Sequence, residues 1–311
     1  MTRPYPPRIK IVEVGPRDGL QNEARPIPAA QKIAFIDALS AAGFAEIEAT
    51  SFVAPGRIPQ LADAEEVMAG IHRRPGVVYS ALVPNEKGLE RALAARIDQA
   101  NVFTAASETF NQRNIRASIA ESIERFRPVV ISARAAGLRV RAYVSTAFVC
   151  PYEGTIEPAA VTDVVARLLD LGVDEISIGD TIGAAVPSQI EAVLDALDGR
   201  LPLGQTALHL HDTRGTALAN VLTGLRRGVA IYDTSSGGLG GCPYAPGAAG
   251  NLATEDLLYL LDGLGLETGI ESSGVRRASD VIEGALGNAL PSKVRRAGPA
   301  PSGERKETDR E

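Results

Sequence analysis

Histidine is scarce in this chain, with three among 311 residues. Cysteine is nearly absent as well. Cys150 and Cys242 are too few for a disulfide framework, which points to a reducing compartment. No apolar run approaches the length of a membrane span. The opening MTRPYPPRIK holds no apolar stretch and does not read as a secretory signal. Basic charge is not in excess. A net charge of −6 and a pI near 5.3 argue against nucleic acid as a partner. What is present, 45% hydrophobic and 23% charged residues, is the composition of a globular protein. The cytoplasm of a bacterium, or a similar reducing space, is its expected location.

Two of the three histidines, His209 and His211, stand one residue apart in ALHLHDT. Residues two apart on a β-strand point to the same face. Both imidazoles therefore aim at one place, which is half of a divalent-metal site. A pair of buried, hydrogen-bonded histidines would carry the same pattern.

Eight apolar strand-like runs alternate with segments of helical period. They are Ile9–Gly15, Ala45–Phe52, Val77–Val83, Gln99–Ser107, Leu138–Phe148, Asp174–Thr181, ALHLHDT and Val229–Gly238. Gly43, Gly137, Gly172 and Gly228 close the helices before four of them. A βα spacing of roughly 30 residues repeated about eight times predicts a (β/α)8 TIM barrel. The competitor, a doubly wound open sheet, expects a phosphate-binding glycine turn after the first strand. GPRDGLQNE is not such a turn. Two extra C-terminal helices are expected, over Leu252–Leu264 and Val275–Leu290. Residues 1–294 then form one domain. The Pro-, Gly- and charge-rich stretch Arg295–Glu311 reads as a disordered tail.

Barrel chemistry sits at the C-terminal ends of the strands. Unusual polar residues gather there: Arg17 and Asp18, Glu48, Ser145 and Thr146, Asp180 and Thr181, His209 with His211 and Asp212, and Asp233. Asp18 with His209 and His211 makes a two-nitrogen, one-carboxylate set that suits several divalent cations. Asn251 could add a carbonyl oxygen, or could instead cap the helix that follows it. Arg17 would be a fixed cation beside the set. Glu48, in an apolar strand, needs a partner, and Arg17 is the nearest candidate. Cys242 lies in a glycine-rich loop able to bend over a site. Cys150 reads as packing. His72 reads as a solvated cap, with Arg73 and Arg74 on a solvated face.

The segments VEVGPRDGLQNE, EIEATSFV, CPYEG, EISIGDTIG, HLHDTRGTALAN and GLGGCPYAPGAAGNLATEDL resemble 3-hydroxy-3-methylglutaryl-CoA lyases, in order from Ile9 to Gly269. The resemblance implies a Mg²⁺- or Mn²⁺-dependent lyase that releases acetyl-CoA and acetoacetate by retro-aldol cleavage, in leucine catabolism or ketone-body formation. It places the metal on Asp18, His209, His211 and Asn251. Arg17, Asp18, Glu48, Asp180, His209 and Cys242 become the catalytic candidates. Arg17 would stabilise the enolate and Cys242 would protonate it. Asp18, Asp180 and His209 are the candidates for the base. Arg17, Asn114, Arg141 and Thr181 are candidates for contact with the acyl-CoA substrate. A homodimer or higher homo-oligomer is expected, with no membrane partner and neither a mitochondrial leader nor a peroxisomal tail. The chain departs from the usual pattern at Val149, Leu210 and Arg214. Val149 and Arg214 are expected near the substrate rim, so they bear on the exact acyl group. The alternatives are a lyase for a larger-branched 3-hydroxy-acyl-CoA, such as isohexenylglutaryl-CoA, or an aldolase of the wider metal-dependent group.

Overall fold

The computed structural model describes residues 5–242 and 245–298, apart from the side chains of 241–249. Eight parallel strands carry the fold: β1 (Lys10–Glu13), β2 (Glu46–Ser51), β3 (Val78–Leu82), β4 (Gln99–Ala105), β5 (Arg139–Ser145), β6 (Glu175–Asp180), β7 (Thr206–Leu210) and β8 (Ile231–Thr234). They close in the order β1-β8-β7-β6-β5-β4-β3-β2. Sequence neighbours are thus spatial neighbours, each joined by a helical crossover, as in a TIM barrel.

Strand alternation sorts the side chains into two populations. Val140, Ala142 and Val144 of β5, Ile176 and Ile178 of β6 and Leu208 of β7 join one large apolar cluster with the helices. The helix Pro158–Leu171 meets this layer with Val161, Val164, Val165 and Leu168, a repeat of three and four residues that forms one stripe. Gly172 ends that helix at φ +89°, a conformation costly for any residue with a Cβ.

Few apolar side chains occupy the inside of the barrel. Val12, Val14, Ala207 and Ile231 form a small cluster there. Most of the remaining interior is polar, including Lys10, Glu46, Gln99, Asn101, Arg141, Glu175 and Asp233.

Three helices follow the barrel: Thr254–Gly263, Ser272–Leu286 and Lys293–Ala297. The second stops before Leu290, its expected end, because Gly287 turns to φ +75°. Arg295 to Ala297, placed by composition in the tail, are helical. Ser292 Oγ accepts the Arg295 N–H, and Arg295 pairs with Asp280 and Glu283. Among the described residues, no helix is long and apolar enough to cross a membrane.

Candidate metal centre and active site

The chain leaves β1 through a wide π-type turn, Gly15–Gly19, in which the N–H groups of Arg17, Asp18 and Gly19 all point at Val14 O. This turn lifts Arg17 and Asp18 over the barrel mouth. Across the mouth, β7 brings His209 and His211 to the same face, with Nε2 to Nε2 at 3.1 Å. His209 Nε2 lies 3.9 Å from Asp18 Oδ2. Ligand atoms of Asp18, His209 and His211 all fall within 4.8 Å of one another.

Asn251 reaches the cluster from beyond β8. Residues Gly250–Leu252 pair with the end of β7 through Asp212 N–H to Gly250 O and Leu252 N–H to Leu210 O. Its amide nitrogen donates to Asp18 Oδ2 at 2.9 Å. Asn251 is therefore not a helix cap: the helix starts at Thr254, with Ala253 in the cap position. Gly240 makes room, since a Cβ there would stand 2.9 Å from the Asn251 amide nitrogen.

Arg17 is buried between two carboxylates. Its Nε donates to Glu48 Oε2 and its Nη1 to Asp18 Oδ1, both at 2.6 Å. Nη2 has no partner among the described residues, while Arg17 lines the cavity. The pairing expected between Arg17 and Glu48 is thus present. Glu48 also accepts the Tyr143 hydroxyl at 3.1 Å and the Asn101 amide at 2.9 Å.

Beneath the mouth, Arg141 is fully buried. Its Nη2 donates to Asp233 Oδ1 at 2.6 Å and its Nη1 to Tyr143 Oη at 3.0 Å. Its Nε sits 2.6 Å from Glu175 Oε1, an ion pair whose N–H is not aligned for a hydrogen bond. Placing Arg141 at the acyl-CoA rim is therefore corrected. Strand alternation sets it two inward positions below Ser145, enclosed by acids. Asp233, also counted among the mouth residues, faces this interior too.

Asp180 is absent from the cavity wall. Its two oxygens accept the N–H groups of Ala184 and Ala185, closing the loop after β6. Arg214 is not aimed at the substrate rim either, because its Nη1 donates to Ile182 O and Gly183 O. Val149 pairs with Thr155 in a two-residue hairpin and packs on the apolar core. Asp212 accepts the Ala217 N–H at the start of the helix Ala217–Arg226 and pairs with Lys293. Thr181 lines the cavity, and its hydroxyl accepts the Thr146 N–H. Asn114 lines it from the helix Glu108–Ile115. Cys150 is buried beside Ser107, and His72 is exposed beside Asp37. Cys242 is in a short hairpin after β8, and its side chain lies outside the described residues.

The electrostatics fit a cation. Burial would raise the Asp18 carboxyl, but Arg17 and the two histidines outweigh it and hold the group at about 2. Burial and the neighbouring His209 push His211 down to about 3, which keeps it neutral. Burial also works against charge on His209, yet Asp233 and Asp18 raise it. Five carboxylates inside the barrel and at its mouth (Asp18, Glu46, Glu48, Glu175, Asp233) face three fixed cations (Lys10, Arg17, Arg141). With both imidazoles neutral, as metal ligation requires, these eight groups carry a net charge of −2, which a divalent ion would balance. Two ring nitrogens 3.1 Å apart likewise need a shared proton or cation between them.

A cavity of ≈ 260 Å³ is lined by Arg17, Asp18, His209 and His211 together with the apolar side chains of Val53, Ile58, Leu82, Phe103 and Phe110.

Sequence reading did not single out Tyr143, Asn101 or the contacts of Asp233. A usable signal was present: Gln99 and Asn101 in β4, and Arg141 and Tyr143 in β5, are polar residues at every second position of otherwise apolar strands.

The HMGL-like family pattern matches residues 8–282. The mitochondrial hydroxymethylglutaryl-CoA lyase of Rattus norvegicus is 51% identical over 292 residues, covering 94% of this chain and 90% of that one. The crystal structure of the Bacillus subtilis HMG-CoA lyase superposes with a TM-score of 0.93 at 50% identity, over 94% of this chain and 99% of that one. An HMG-CoA lyase from Acinetobacter baumannii, solved with coenzyme A and 3-methylmalate, gives 0.89 at 39% identity, over 94% and 98%. Half of the residues are shared across almost the whole barrel, and the chain belongs to the HMGL-like family.

Proposed function

We propose that this protein cleaves 3-hydroxy-3-methylglutaryl-CoA to acetyl-CoA and acetoacetate, with Mg²⁺ or Mn²⁺ held by Asp18, His209, His211 and Asn251. The observation that carries this reading is one cavity lined by both the Asp18–His209–His211 cluster and a clamped Arg17. A bound divalent ion supplies Lewis acidity that lowers the pKa of the substrate's tertiary hydroxyl.

The reaction breaks the bond between C2 and C3. The hydroxyl proton leaves, the oxygen becomes the ketone of acetoacetate, and the bonding electrons pass to the thioester as an enolate. Of the candidates for the base, Asp18 takes that proton, because His209 has Nε2 turned to the ligand set and Nδ1 turned to Asp233. Asp180 is disfavoured, since its oxygens are committed to backbone N–H groups. Glu48 and Asp18 fix the Arg17 guanidinium, whose Nη2 donates to the enolate oxygen. Its position is set before the charge develops, so little reorganisation is required. Cys242 returns a proton to C2, a role that rests on the family resemblance. Asn114 and Thr181 contact the acyl-CoA, and the apolar wall excludes water from the enolate.

The test offers purified protein a panel of 3-hydroxy-acyl-CoAs with Mg²⁺ or Mn²⁺ and follows acetyl-CoA release. Release from the methyl-branched substrate, lost with chelator and restored by metal, is expected. No release from it would overturn the proposal. The wall of Val53, Ile58, Leu82, Phe103 and Phe110 favours a second reading, acceptance of a larger branch. Faster cleavage of a larger-branched member of the panel would replace the first reading by the second.

A further inference from the structure

The two histidines of β7 are unequal behind the mouth. His211 Nδ1 is buried with no partner among the described residues. His209 Nδ1 lies 3.3 Å from Asp233 Oδ2. That oxygen also accepts the Ser177 hydroxyl at 2.8 Å, and the other oxygen, Oδ1, takes Arg141 Nη2 at 2.6 Å. Asp233 is therefore tied from three sides, by β5, β6 and β7, and is itself 2% exposed.

This geometry fixes a proton. A carboxylate only accepts, so the hydrogen between Asp233 and His209 belongs to Nδ1. In the neutral ring Nε2 then keeps its lone pair, aimed at His211 and Asp18. An imidazole that offers a lone pair to a metal depends on such a partner behind it for tautomer, ring angle and basicity. Arg141 completes the arrangement by preventing the carboxylate from rotating away.

We propose that Asp233 is a positioning residue for the metal centre. It holds His209 as the Nδ1–H tautomer, and Arg141 and Ser177 hold Asp233. Any effect on catalysis passes through His209. The inference rests on the ligand set proposed above, but its test separates the two.

Asp233→Asn inverts the contact. Arg141 still demands an acceptor, so the amide oxygen must face it. The amide NH₂ then faces His209 Nδ1, which has to become an acceptor and send its proton to Nε2. Three histidines make the ¹⁵N–¹H ring spectrum assignable one by one. In the metal-free wild-type protein, at a pH high enough that the His209 ring is neutral, His209 is expected to show the Nδ1–H pattern. In Asp233→Asn it is expected to show Nε2–H. Mn²⁺ affinity by titration calorimetry should fall about 10- to 100-fold in the variant. An Nε2–H pattern for His209 in the metal-free wild type overturns the proposal without any variant, so a failure of Asp233→Asn to fold does not shield it. Mn²⁺ affinity unchanged within twofold in a folded Asp233→Asn also overturns it. Absence of Mn²⁺ binding by the wild type would instead remove the ligand assignment, while the tautomer spectrum still decides the Asp233 contact.

Discussion

The two faces of the same eight strands obey opposite rules. On β5 the outward residues Val140, Ala142 and Val144 are apolar and packed by helices, while the inward residues Arg141, Tyr143 and Ser145 are polar. β6 repeats the pattern, with Ile176 and Ile178 outside and Glu175 and Ser177 inside. Apolar packing outside is tolerant, because a lost methylene costs its own burial and the cavity it leaves. A buried charge is not tolerant, because removing one partner strands the other in a medium that cannot solvate it. The outer face thus contributes stability in many small increments. The inner face trades some of that stability for a fixed array of charges under the mouth.

The most direct way to break this contrast is Arg141→Met. It leaves Asp233 without its cation and Glu175 with Lys10 alone. Urea unfolding should show a loss of about 3–5 kcal/mol. The double variant Arg141→Met/Asp233→Asn should recover part of that loss. A single variant that unfolds at the wild-type midpoint would mean that the interior charges are not coupled as described.

Next in size is Arg17→Gln, at the top of the same face. It should lower kcat by about 10²- to 10³-fold, the usual cost of one oxyanion donor. Mn²⁺ binding should persist, because Arg17 is not a ligand. Near-normal turnover would remove Arg17 from the chemistry.

Acid tests the mouth of the metal-free protein at a smaller scale. The Asp18 carboxyl is held at about 2, below its ordinary 3.8. The unfolded chain therefore takes up this proton before the folded one does. The stability this contributes is complete above about pH 4 and is lost as the pH falls through 2. At about 1.4 kcal/mol per pKa unit it amounts to roughly 2 kcal/mol. Asp18→Asn should flatten that part of the urea midpoint–pH curve. An unchanged acid limb would show that Asp18 is not held by its cationic neighbours.

Much of this was legible in the sequence, for reasons that differ by residue. The barrel is written locally: short apolar runs, helical stripes and a closing glycine each specify one unit, and eight units leave little choice of topology. Asp18, His209 and His211 stand out because their residue types are scarce or misplaced where they occur. Arg141 could not be placed, because its partners come from β6 and β8 and only strand register shows that it points inward below them. Asn251 carried two readings, ligand and helix cap, because LATEDLLYLL follows it. Only the pairing of Gly250–Leu252 with β7 reveals that the helix starts later and that the amide is free to meet Asp18.

The smallest predicted effect is the control that gives the others meaning. Ile176 is fully buried on the outward face of β6, one residue from Glu175 and Ser177, which point inward. Ile176→Val removes one methylene and should cost about 1 kcal/mol, a drop of about 2–4 °C in melting temperature for a domain of this size. Ile176 belongs to the outer apolar cluster and is absent from the cavity wall, so kcat and Mn²⁺ affinity should match the wild type. The two faces are separated by a single backbone, and a shift of β6 would move Ser177 and therefore Asp233. If this mild outward change weakened Mn²⁺ binding, the inner charge array would depend on the exact packing of the outer layer. If it lowers the melting temperature and nothing else, the backbone insulates one face from the other, and each can be altered without the other.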